Sequence, residues 1–166
     1  MPELFQNADF VIIGDFENYF LNDFKKIESL NGKVYSSGMV DMDKLPSPNL
    51  EGFPINDYSY YPAISKKPFF SLQSSKGCPY DCSYYCIYGH IQGRKMNVRS
   101  VKKVIQDIML LQRKYNIKGF QFRDPTFGIQ KNYINELCDE IIKNHIKIHW
   151  GMETRVDLLD NKKIKK

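Results

Sequence analysis

From Phe69 to Met152 the chain switches repeatedly between two hydrophobic periods, and that alternation restricts its fold more than any other feature. Phe69 to Gln73 is a short apolar run of strand character. Val101, Val104, Ile105, Ile108 and Leu111 then fall on one face of a helix that Ser100 can cap. Gly119 to Arg123 returns to a strand, with Phe120 and Phe122 alternating and Pro125 ending it. Ile134, Leu137, Cys138, Ile141 and Ile142 form the stripe of a second helix, on which Cys138 is a core residue. Ile146, Ile148, Trp150 and Met152 alternate as a third strand. Strands alternating with helices of about 11 to 15 residues predict βαβ units and a parallel sheet, an α/β fold. Ligands of such sheets bind beyond the carboxyl ends of the strands. Three segments follow strands here and are expected to converge on that edge: the stretch after Gln73, Arg123-Asp124-Pro125-Thr126-Phe127, and Glu153-Thr154-Arg155.

The first of these segments holds three of the four cysteines, in Gly77-Cys78-Pro79-Tyr80-Asp81-Cys82-Ser83-Tyr84-Tyr85-Cys86. Three thiolates in one loop can hold three irons of a [4Fe–4S] cluster and leave the fourth iron open to a ligand that is not protein. The same residues admit a second reading. Cys78, Cys82, Cys86 and His90 recur every four residues, which also suggests a closed zinc site of three cysteines and one histidine. Such a domain would be non-catalytic, with zinc or a cluster held for structure. Pro79, with Gly77 and Gly89 at the flanks, favours a loop over a helix.

Before this region lie one strand, Phe10 to Gly14, and one helix, Asn18 to Leu30, with Tyr19, Phe20, Phe24 and Ile27 on one stripe and Asn31-Gly32 as its stop. Between Ser36 and Pro68 the periodicity is lost. Pro46, Pro48, Pro54, Pro62 and Pro68 mark a linker, and Tyr58, Tyr60 and Tyr61 suggest one packed on a domain surface. The net charge of +5 is mild, and the cationic cluster of Arg94, Lys95, Arg99, Lys102 and Lys103 reads as a solvated face, so a nucleic-acid partner is disfavoured. No apolar run approaches the roughly 20 residues of a membrane span. The first residues lack the pattern of a signal peptide, so a cytoplasmic, reducing location is expected and the cysteines read as ligands.

Ser75-Lys76-Gly77-Cys78 and the run on to Cys86 resemble the cluster loop of radical S-adenosylmethionine enzymes, in the branch that usually also binds cobalamin. The usual family spacing is C-x3-C-x2-C; here it is C-x3-C-x3-C, and Tyr85 keeps the aromatic place before the last cysteine. Ala8 to Glu17 is similar to the last strand and turn of the cobalamin domain, and Asp41 to Pro62 to the family's proline-rich linker. Phe120 to Phe127 and Glu153-Thr154-Arg155-Val156-Asp157 match its strand ends. The resemblance divides the chain into residues 1–35, a remnant of a cobalamin-binding domain, a linker at 36–68, and the first half of a radical barrel at 69–166.

That resemblance implies that Cys78, Cys82 and Cys86 ligate the cluster and that S-adenosylmethionine chelates the open iron. It implies Tyr85 beside the adenine, Asp124 at the ammonium of the methionine moiety, Arg155 at its carboxylate and Glu153 as a further polar contact. The activity implied is cleavage to a 5′-deoxyadenosyl radical, with methyl transfer a frequent outcome in the branch. A flavodoxin- or ferredoxin-like electron donor and a small-molecule substrate belong to the same expectation. About three of the six βα units of a partial (β/α) barrel are expected, so the chain reads as an internal fragment whose missing half another chain could supply. Cobalamin belongs to the longer relatives: no histidine precedes His90, so the axial-ligand motif is absent, and Gly14-Asp15-Phe16-Glu17 departs from the family's turn.

Overall fold

The chain divides at Leu45 into two units, Met1–Leu45 and Pro46–Lys166, in a computed structural model that describes residues 5, 7–22, 24–25, 33–82 and 84–159. In the first unit, β1 (Phe10–Ile13), α1 (Phe16–Asn22) and β2 (Lys33–Ser36) make one βαβ turn. β1 and β2 pair in parallel from Phe10↔Lys33 to Ile13↔Ser36. Tyr19 on α1 is fully buried, edge-on to Tyr35 with ring centroids 4.8 Å apart. Asp15 closes the turn after β1, its carboxylate accepting from the Val40 amide at 2.9 Å.

The helix begins at Phe16, ahead of the expected Asn18, and its stripe is narrower than expected. Phe20 and Phe24 are exposed, although they were expected beside Tyr19. They instead continue an outer row with Phe16, the successive rings 6.1 and 5.3 Å apart, Phe16 and Phe20 being spaced by four on the helix. Ile27 and the Asn31-Gly32 stop lie outside the described residues. β2 was not anticipated, because four residues with two polar ends carry too little alternation to be seen.

In the second unit the strands are β3 (Phe69–Leu72), β4 (Ser75–Lys76), β5 (Asn97–Val98), β6 (Gly119–Phe122) and β7 (His149–Gly151). The helices are α2 (Tyr88–Ile91), α3 (Val101–Tyr115) and α4 (Tyr133–Lys143). β3, β6 and β7 form a parallel sheet in that order. The register sets Leu72 opposite Phe122 and Gln121 opposite Gly151, so the three carboxyl ends come out level. The fold is α/β, an open partial barrel of parallel βα units.

α3 begins at Ser100, whose Oγ accepts from the Lys103 amide at 3.3 Å, and ends at Asn116 in the left-handed region, φ 55°. Its inward face buries Val104, Ile105, Ile108 and Leu111. On α4, Ile134, Leu137 and Cys138 are buried as expected, but Ile142 is 58% exposed. The strand expected to alternate, β6, is buried at all four positions, since the central strand of a parallel sheet is covered on both faces. Phe122 stacks on Phe127 at 4.4 Å and meets Trp150 edge-on at 5.8 Å.

Residues 46–68 belong to this unit, and of their expected packing aromatics Tyr61 is 81% exposed. The Tyr60 ring stacks on Phe69 at 5.5 Å, and Tyr115 Oη both accepts from the Leu50 amide and donates to Asn49 Oδ1. Arg99 corrects the reading of the cationic cluster: it is buried, 2.9 Å from the equally buried Asp107 carboxylate of α3. Among the described residues no helix is long and apolar enough to cross a membrane.

Phe122 is fully enclosed and touches three aromatic neighbours. Phe122→Ala is expected to cost about 3–5 kcal/mol in a urea titration. Met109→Ala, on the exposed side of α3, is expected to change stability by less than about 0.5 kcal/mol.

Candidate functional site

β3 ends at Leu72, and the chain then leaves the sheet through a narrow neck. β4 and β5 pair antiparallel, Ser75 with Val98 and Lys76 with Asn97. The Arg99 amide donates to the Ser74 carbonyl at 2.8 Å, and the Cys78 amide to the Gly93 carbonyl at 3.0 Å. The Gly77 amide adds a bond to Gln92 Oε1 at 3.2 Å. Residues 77–96 are thereby a loop tied shut at its base. Gly77 holds φ at +84°, and a Cβ there would strike the Lys95 carbonyl oxygen.

Asp124, just beyond β6, locks this neck to the sheet. Its carboxylate is buried and accepts from the Ser74 amide at 2.7 Å, from Ser74 Oγ at 2.5 Å and from Ser75 Oγ at 2.8 Å. Burial pushes the carboxyl pKa above the usual range, and the serine donors pull it back only in part. The third strand end joins from the other side. The Phe127 amide donates to the Glu153 carbonyl at 2.9 Å, and Thr154 Oγ1 donates to the Phe127 carbonyl at 2.6 Å. The three post-strand segments therefore meet at one edge, as their positions in the sequence required.

Of the three loop cysteines, Cys78 is buried at 4% exposure, Cys86 is half-buried and Cys82 is exposed. Cys78 Sγ lies 3.7 Å from Thr126 Oγ1, whose hydroxyl donates to the Pro125 carbonyl. Tyr85 is 84% exposed and edge-on to Tyr84. Arg155 lies with its guanidinium carbon 4.3 Å from the Tyr80 ring centroid and is gripped by Asp157 through two bonds of 3.0 Å. That pairing lowers the Asp157 pKa and raises that of Arg155, on which the nearby Cys82 also acts. Glu153 pairs with Arg123 at 2.6 Å. His90 stands on α2, exposed to solvent.

The structure thus brings Cys78, Arg155, Asp124 and Glu153 to one edge. It does not draw the cysteines together: among the described residues no three His, Cys, Asp or Glu side chains are gathered as a metal ion requires. The donor set nevertheless suits an iron–sulfur cluster in kind and number, with three thiols on one tied loop flanked by the guanidinium groups of Arg94 and Arg155. Ser74, Thr126, Gln92 and Arg94 escaped the sequence reading as working parts. Thr126 sat inside a quoted motif, but nothing in the sequence connects it to a cysteine 48 positions away.

No protein-family model matches the chain. It is 27% identical over 136 residues to an uncharacterized methyltransferase of Pyrococcus horikoshii, a match covering 80% of this chain and 28% of that protein. It is 27% identical over 153 residues to the anaerobic magnesium-protoporphyrin IX monomethyl ester cyclase of Synechocystis, covering 88% and 29%. With the hopanoid C-3 methylase of Methylococcus capsulatus it shares 32% over 98 residues, covering 58% and 18%. The chain spans less than a third of the length of these relatives. They are enzymes, methyltransferases and a cyclase, and the chain is related to them.

Gly77 and Gly93 both hold positive φ, but only Gly77 faces a backbone oxygen across the neck. Gly77→Ala is expected to destabilise by more than about 1 kcal/mol and by more than Gly93→Ala, read from paired denaturation curves. For Asp124, the folded chain holds the carboxyl proton more tightly than the unfolded chain. Its stabilising contribution is full below the unfolded pKa and is lost as pH rises through the folded one. Wild type is therefore expected to lose stability relative to Asp124→Asn as pH climbs from about 4; a gap constant with pH would contradict this.

Proposed function

We propose that this chain is part of a radical S-adenosylmethionine enzyme, with Cys78, Cys82 and Cys86 as the thiolate ligands of a [4Fe–4S] cluster. The observation that supports the reading most directly is the meeting of the cysteine loop with the ends of β6 and β7 at the carboxyl edge of a parallel sheet. The similarity to methyltransferases and a cyclase agrees with it.

When bound, the cluster supplies one electron that cleaves the sulfonium of S-adenosylmethionine to methionine and a hydrogen-abstracting 5′-deoxyadenosyl radical. This chain's own residues bind and orient. The tied neck holds Cys78 at the sheet edge, and exposed Cys82 and half-buried Cys86 would close towards it on cluster binding. The Asp124 carboxylate is buried and bonded to Ser74 and Ser75, so its backbone carbonyl is the group proposed to accept from the methionine ammonium. Arg155, steadied by Asp157 and the Tyr80 ring, pairs with the methionine carboxylate. Exposed Tyr85 lies along the adenine, and Glu153 adds a polar contact near Arg123. Methyl transfer is the outcome we propose for that radical, with an electron donor of the flavodoxin or ferredoxin kind.

The test is anaerobic reconstitution with iron and sulfide, followed by EPR of the dithionite-reduced protein with and without S-adenosylmethionine. A [4Fe–4S]⁺ signal that shifts on adding S-adenosylmethionine is expected, and Cys78→Ser should abolish it. Retention of one tightly held zinc, no cluster, and loss of that zinc in His90→Ala would overturn the reading for the closed zinc site.

A further inference from the structure

Arg94 lies eight positions beyond the last loop cysteine and bonds back to the segment that follows the first. Its Nη1 donates to the Tyr80 carbonyl at 2.9 Å and its Nη2 to Asp81 Oδ1 at 2.7 Å. Tyr80 and Asp81 are residues of the segment between Cys78 and Cys82. The side chain therefore closes a ring from 80 to 94, with Cys82 and Cys86 on its contour. Gly89 leaves room for it: a Cβ there would come within 3.0 Å of Arg94 Nε. The guanidinium is held at both ends of its fork, a geometry an ammonium cannot reproduce.

The charge at this place matters separately from the tie. Asp81 is drawn below the usual carboxylate range by the Arg94 hydrogen bond and charge, and Arg94 also interacts electrostatically with Cys78 and Cys82. Three thiolates on one loop repel one another, and a cation beside them offsets that repulsion. Nearby Arg155 is bound to Asp157, as Arg94 is to Asp81, so two compensated cation–anion pairs flank the loop.

We propose that Arg94 is a positioning residue for the cysteine loop, one that ties the loop through Tyr80 and Asp81 and sets the reduction potential of the cluster by its positive charge. This rests on the reading above that the three thiolates hold a [4Fe–4S] cluster. A positive charge favours the form that has gained an electron, so removing it drives the potential down, and removing the Asp81 charge drives it up. Both groups are substantially exposed, so the shifts should shrink as salt is raised.

The experiment uses the 166-residue chain, loaded anaerobically with iron and sulfide and titrated potentiometrically with EPR detection. Arg94→Gln is expected to shift the potential to more negative values and Asp81→Asn to more positive ones. Arg94→Lys should stay near wild type in potential while holding less cluster. The double variant Arg94→Gln/Asp81→Asn should return towards the wild-type potential, because its net charge is restored. Equal potentials in all variants, with only cluster content falling, would reduce Arg94 to a structural tie and overturn the proposal. If Arg94→Gln holds no cluster, Asp81→Asn and Arg94→Lys decide alone: no positive shift in the first, or a negative one in the second, overturns it. A wild-type chain that takes up no iron and sulfide instead defeats the functional reading itself, and this inference with it.

Discussion

A buried carboxylate at the end of β6 accepts three hydrogen bonds from two adjacent serines, and the geometry of the site edge depends on it. Sequestering Asp124 from water is unfavourable, and three donors, two of them hydroxyls free to rotate, offset that cost. The bonds fasten the segment after β3 to the segment after β6, beyond the reach of the strand ladder. Ser74 then passes the constraint on, since its carbonyl accepts from the Arg99 amide on the far side of the neck. Arg99 is anchored in turn on Asp107 of α3, and its own carbonyl accepts from Tyr133 Oη at the start of α4. One run of polar contacts thus joins the helical layer, the neck and the sheet edge.

The parallel sheet was legible because its evidence is periodic. Stripes such as Val104, Ile105, Ile108 and Leu111 mark a helix regardless of what it packs against, and Ser100 marks where it starts. The convergence of three loops followed from topology alone, since every strand of a parallel sheet ends at the same edge. What failed was what depends on neighbours. Ile142 fits the α4 stripe but sits near the end of the helix, where little remains to cover it. Arg99 looked like one more surface cation until Asp107 was brought beneath it by the turn of α3. Strands of two residues, β4 and β5, have no period at all and exist only because they face each other.

The candidate site shows the same division. The cysteines announced themselves through spacing, and Asp124, Glu153 and Arg155 through their place after strands. Their partners could not be foreseen. Asp124 was expected at the ammonium of a bound ligand, and the two serines that its carboxylate accepts from carry no signal in the sequence. Arg155 was expected at a carboxylate of the ligand, and it lies on Tyr80 gripped by Asp157, so any anion it binds must compete with a carboxylate two residues away.

The neck and the loop tip differ in how they are held, and the difference bears on function. At the base, Cys78 and Arg99 are fixed by backbone hydrogen bonds, Gly77 by the Gln92 side chain and Arg99 also by a buried ion pair, and solvent screens the buried pair weakly. Further out, Tyr84, Tyr85 and Cys82 are exposed, and the tie just beyond the base is an exposed pair between Arg94 and Asp81. Exposed pairs contribute little to stability, about 0–1 kcal/mol. The tip can therefore rearrange at small cost while the base stays in register with the sheet. A loop built this way can bring its outer thiols towards an inner one that is already placed, as the proposed cluster would need.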